Sequence, residues 1–298
     1  MTRTLLILLL TIVSSQVQAQ AQARLNVVAT VSNMAMLAST VGGDQVQVTT
    51  LAPPDRDAHH LEVRPAMMVA LRQADLVVAV GAELEIGWLP PAIQGAKNPR
   101  INPGQPAHFE AAVHVTLIDP VPDANRSMGD VHADGNPHVY LDPVRMTVIA
   151  HALADSLAAL RPEFSDHFHQ RAEAFAKQVE DRLPAWRHTT TAAPGVLLFH
   201  ADANYLARLF SVPVHGYLEP VPGIPPSGRH LANLTRALRG QQGVLIMPMY
   251  QPRRNARLVE SELGWPVYQL PTQVPLNGSA DDYLALIDRW ADAMAGTQ

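Results

Sequence analysis

The chain contains no cysteine. Disulfides are therefore excluded, along with thiolate metal ligands and a lipid anchor on an N-terminal cysteine. Any metal site has to be built from histidine and carboxylate. Charge is sparse too. Only 16% of the 298 residues are Asp, Glu, Lys or Arg, and the net charge is −5 with thirteen histidines counted neutral. No run of Lys and Arg stands out, which argues against a nucleic-acid groove and against a polybasic membrane patch. No apolar stretch reaches the roughly 18 residues that a membrane-spanning helix requires. Two catalytic signatures are also missing, the zinc-protease HExxH and the Gly-x-Ser-x-Gly nucleophile elbow.

What is present is a large apolar fraction, 47%, in a chain long enough for two domains or one large one. Residues 1–23 read as a targeting segment. Arg3 supplies the positive start, residues 5–13 form an apolar run broken only by Thr11, and small-residue cleavage choices follow from Val17-Gln18-Ala19 to Ala23. The expected mature protein is exported to the periplasm, free rather than lipid-tethered.

Beyond residue 24 the pattern alternates between strands and helices. Strands are expected at 24–31, 45–51 and 76–80, the last a continuous apolar run suited to a parallel sheet buried on both faces. Helices are expected at 33–41, from Pro65 to Ala74, and from about Leu84. Residues 90–109 give no clear assignment, and 113–118 read as the final strand of the unit. A helix over 142–160 starts with an acidic cap, Asp142, and Pro143 at its first position. A second helix over 163–188 follows, with Pro184 a kink or an end. Strands at 195–200, 212–217, 244–247 and 266–270 then alternate with helices, closing on 281–294. The fold class is α/β: two βα lobes with parallel sheets, 24–160 and 191–298, joined by a long connecting helix, 161–190. The same helices could also be two packed helices of one domain.

Candidate chemistry rests on histidines. His138 lies between Pro137 and the Asp142-Pro143 helix start, on a short stiff loop. His59 and His60 follow the second strand, and His200 closes the first strand of the second half. Ligands of open α/β sheets bind beyond the carboxyl ends of the strands, so these loops could meet in the interlobe cleft. Three imidazoles within about 2.1 Å of an ion make a zinc-type shell. Equally, they could be separate surface histidines. His167, His169, His188 and His230 read as helix-surface residues, and His114 and His215 as strand residues.

The ordered motifs resemble the metal-binding solute receptors of ABC importers, zinc/manganese type, from Leu25 to the C-terminus. Val41-Gly42-Gly43-Asp44-Gln45-Val46-Gln47-Val48 is similar to that family's VGGD-x-V-x-V. Asp57-Ala58-His59-His60-Leu61-Glu62 resembles its first histidine motif, and Ala74-Asp75-Leu76-Val77-Val78 with Gly81 its ADLVV strand. Asn136-Pro137-His138-Val139-Tyr140-Leu141-Asp142-Pro143 resembles DPH-x-WLDP, and His200 with Tyr205-Leu206-Ala207 resembles H…Y-x-A. The resemblance implies His59, His138 and His200 as metal ligands, Zn²⁺ as cargo with Mn²⁺ less favoured, and an ABC permease as partner of a monomeric receptor.

It also implies a fourth, carboxylate ligand late in the chain, and here that position falls on Pro271. Water, His60, Glu62 or Asp281 are the expected substitutes, with Glu62 otherwise orienting the site. The family's long histidine-rich loop is replaced by Asp130-Val131-His132-Ala133-Asp134, which could recruit metal weakly but is expected to be a solvated turn. Three imidazoles without the carboxylate favour zinc over manganese. Two other classes stand beside the receptor: a zinc hydrolase with an open coordination position, and a stand-alone exported metal buffer or adhesin.

Overall fold

The computed structural model describes residues 24–123, 129–221 and 223–297, so the expected targeting segment lies outside the described residues. Four consecutive apolar residues, all buried, make the strand β3, Leu76–Ala79. It pairs in parallel with β1, Leu25–Ala29, and β4, His108–Glu110, while β2, Val46–Thr50, lies on the far side of β1. The order is β2-β1-β3-β4. The second half repeats it as β6-β5-β7-β8, again all parallel. Its strands are β5, Val196–Leu198, β6, Val214–Tyr217, β7, Val244–Pro248, and β8, Val267–Leu270. In each sheet the chain leaves the first strand to one side and returns on the other. The carboxyl ends of that strand and its later neighbour therefore flank a crevice.

Helices cover both faces of both sheets, as parallel strands require. On the outer faces lie α2, Pro65–Gln73, and α3, Leu89–Ala96, for the first sheet, and α7, Gly228–Leu238, and α8, Arg257–Leu263, for the second. The inner faces share one core. Val27 and Val78 of the first sheet and Val196 and Ile246 of the second belong to the same buried cluster. Helices α1, Ser32–Gly42, α4, Pro143–Leu160, α5, Ser165–Thr190, and α9, Ala280–Ala295, supply the rest of it. Helix α5 buries Phe168, Ala172, Phe175 and Val179, a stripe at helical spacing, and runs through Pro184 without ending. The short helix α6, Asn204–Leu209, completes the set.

A polar stitch ties the halves together. The Asn33 side chain donates to the Thr272 carbonyl at 3.0 Å and accepts from Val274 N–H at 2.9 Å, while Asn33 N–H donates to Gln273 Oε1 at 2.9 Å. All of these bonds are buried, where breaking one costs about 1–3 kcal/mol.

Two expectations need correction. The last strand of the first sheet is β4, not residues 113–118. Residues 111–114 form a 3₁₀ turn in which Val113 is 70% exposed, and Phe109 is the residue buried beside Val78. The helix expected from Leu84 begins at Leu89. Ala82 and Glu83 take positive φ, and the buried Glu85 carboxylate folds back to accept from Val80 N–H, Gly81 N–H and Thr30 Oγ1. That carboxylate caps the end of β3 and delays the helix by one turn.

Candidate metal centre

The loop after β2 is fixed from beneath, where Trp88 Nε1–H donates to the Ala58 carbonyl at 2.8 Å. His59 follows, and its Nδ1–H donates to Asp57 Oδ1 at 2.8 Å while its backbone N–H reaches the same oxygen at 3.0 Å. A carboxylate on Nδ1 sets the tautomer and leaves the Nε2 lone pair free to face the cleft. His138 is held the same way by another group. Its Nδ1 is hydrogen-bonded to the Tyr140 hydroxyl at 2.8 Å, and its backbone N–H donates to Asn136 Oδ1 at 2.9 Å. Asp142, buried at the N-terminus of α4, accepts from Val144 N–H and Arg145 N–H and so closes the far side of this loop.

Asn136 also reaches across the cleft. Its Nδ2 donates to the Ala201 carbonyl at 2.8 Å, next to His200 at the end of β5. Tyr205 adds a second tie, donating to the Asn136 carbonyl at 2.6 Å. The outcome is convergence. One ligating atom each from His59, His138 and His200 lies within 4.8 Å of the others, and the imidazoles are 7%, 4% and 12% exposed. His138 Nε2 and His200 Nε2 are 3.3 Å apart.

Two further side chains lie against the cluster. His132 is buried, with Nε2 3.3 Å from His59 Nε2, so the segment expected to be a solvated turn packs against the cluster. Asp202 is 4% exposed and sits 3.4 Å from His138 Nε2 and 3.6 Å from His200 Nε2. Its only signal in the sequence is a charged residue between Ala201 and Ala203, two positions after a candidate ligand.

The proposed substitutes for the fourth ligand lie elsewhere. His60 is exposed and bonded to Asp130 at 2.9 Å. Glu62 is exposed and lines a separate cavity with Thr50 and Met67. Asp281 is exposed in the first turn of α9. The Pro271 carbonyl accepts from Trp290 Nε1–H at 2.9 Å, and Gln273, nearby, bonds Tyr140 beneath His138.

Electrostatics keep most of the cluster uncharged. Burial, then the nearby His59 charge, pushes His200 down to about 3 and His132 down to about 4, and holds His138 well below its ordinary value. These imidazoles are neutral at pH 7 and carry free lone pairs. For His59, burial opposes charge, but the Asp57 bond outweighs it and raises its pKa. Burial and the Asp57 charge push Asp202 up to about 7, and burial pushes Glu219 to about 7. A cavity of about 640 Å³ adjoins His132, His138, His200 and Glu219.

Two parallel-sheet lobes with a buried cluster of nitrogen donors between them define a two-lobed α/β metal-site protein. Residues 27–297 match the family described as zinc-uptake complex component A, periplasmic, and the chain belongs to that family. Among its relatives is the zinc-binding lipoprotein AdcA of Streptococcus pneumoniae, 24% identical over 231 residues, which cover 74% of this chain and 44% of the relative. The chain thus matches less than half the length of that lipoprotein. The high-affinity zinc uptake system protein ZnuA of Yersinia pestis is 23% identical over 242 residues, 76% of either chain. The SBP FpvC of Pseudomonas aeruginosa, in complex with Mn²⁺, has the same fold, with a TM-score of 0.75 and 22% identity over 92% of this chain and 98% of its own.

Proposed function

We propose that this protein is an exported receptor that captures Zn²⁺ between its lobes with His59, His138 and His200 and delivers it to an ABC permease of the inner membrane. The observation that carries the reading is the convergence of three largely buried imidazoles, two of them with Nδ1 committed to a hydrogen bond and Nε2 turned toward the other rings. Imidazole donors suit zinc, whereas manganese asks for more oxygen. The family and the zinc relatives point the same way. In this reading the protein is monomeric, binds no nucleic acid and performs no catalytic step. The lobes, 24–160 and 191–298, are joined by the helix around 161–190. Because helix and core are shared, release proceeds through loop movement rather than wide hinge closure.

Metal analysis with competitive Zn²⁺/Mn²⁺ titration tests this. The expected result is one tight equivalent of zinc, lost in His59→Ala, His138→Ala and His200→Ala. Tight manganese with weak zinc would reassign the cargo, and no tight metal at all would sink the receptor.

A further inference from the structure

Ligand distances of about 2.0–2.1 Å around a tetrahedral ion put neighbouring donors about 3.3–3.4 Å apart. The separation of His138 Nε2 and His200 Nε2, 3.3 Å, is one such edge. Asp202 Oδ1 supplies two more, at 3.4 Å to His138 Nε2 and 3.6 Å to His200 Nε2. Together these three atoms outline one face of a tetrahedron, and one ligating atom of His59 lies within 4.8 Å of those of His138 and His200. Asp202 lines the same small cavity as His59 and His200.

The carboxylate is otherwise poorly served. Among the described residues, the polar atoms at ion-pair distance from Asp202 are those two imidazole nitrogens. A buried charge without donors is costly unless a cation meets it. We propose that Asp202 is the fourth metal ligand, a carboxylate rehoused from the last quarter of the chain to the turn after β5. This rests on the receptor reading of the three histidines. The position expected late in the chain carries no carboxylate: Pro271 has no donor side chain, and nearby Gln273 is a neutral amide engaged with Asn33 and Tyr140. His132 comes within edge distance of His59 alone, whereas Asp202 does so with two imidazoles.

The test compares wild type, Asp202→Asn and His132→Ala on the whole chain. Readouts are chelator competition for Zn²⁺, zinc X-ray absorption, and thermal unfolding without metal. Asp202→Asn should still bind one zinc, weakened by more than the roughly 10- to 100-fold that loss of an outer-shell partner costs. It should keep three imidazoles on the metal, and its metal-free Tm should equal or exceed that of wild type. A residue holding structure instead would lower that Tm. His132→Ala should leave affinity and imidazole count unchanged. Unchanged zinc affinity in Asp202→Asn, or four imidazoles falling to three in His132→Ala, would overturn the assignment while leaving the receptor standing. A wild-type chain without tight zinc would overturn both.

Discussion

The two lobes share a strand order but prepare their histidines differently. On the first-lobe side His59 has Asp57 on its Nδ1 and His138 has Tyr140 on its own, and the backbone N–H of each is bonded to a side chain as well. On the second-lobe side, His200 Nδ1 is buried without a hydrogen bond, the Glu219 carboxylate lying 4.0 Å away. One wall of the candidate site is thus fixed by hydrogen bonds, while the other lacks such a bond on its Nδ1. Preorganised donors raise affinity, and an untethered one gives the metal a way out.

The bluntest way to break the contrast is to delete donors. His59→Ala and His200→Ala should both abolish tight zinc, which equilibrium dialysis against a chelator would read; survival of tight binding in either would remove that residue from the shell. Asn136→Ala comes next, because one side chain steadies His138 and bonds the Ala201 carbonyl. It should weaken zinc by about 10- to 100-fold and lower stability by about 1–3 kcal/mol, measured by titration and urea unfolding.

Asp57→Asn should weaken zinc by about tenfold or more, whereas Glu219→Gln should leave affinity within a few-fold. Equal effects would show that the two walls are not differently prepared. The pH profile sharpens this. The His59 pKa is raised, so zinc must displace a proton there first as pH falls toward and below 6.5, whereas depressed His138 and His200 hold no proton in that range. Affinity should fall about tenfold per pH unit for each proton displaced. In Asp57→Asn, where His59 loses the bond that favours its charge, the fall should begin at lower pH; an unmoved onset would contradict this account. Smallest at the metal is Asn33→Ala, which should cost about 1–3 kcal/mol of stability yet leave zinc affinity unchanged.

Much of this was legible from the residues. The apolar run at β3, the Asp142-Pro143 helix start and the strand–helix alternation are local signals, and local signals survive folding. Residues 113–118 misled because β-branched alternation says nothing about which run finds a place beside β3, and Phe109 does. Loops with histidines could be located, but that His59, His138 and His200 face one another depends on chain paths that only the motif resemblance anticipated. Asp202 escaped notice because burial, not identity, makes a carboxylate unusual. The short segment around His132 reads as a solvated turn, yet Asp130 is engaged with His60 and His132 turns inward.

The buried stitch from Asn33 to residues 272–274, laid over a core common to both sheets, has a consequence for recognition. In the proposed receptor, a base fastened in this way would keep nearly the same outline loaded and bare, and a permease would find little overall shape to read. The message would then fall to the segments bearing Asp57, His60 and Asp130, and discrimination between full and empty would shrink to a patch a few side chains wide.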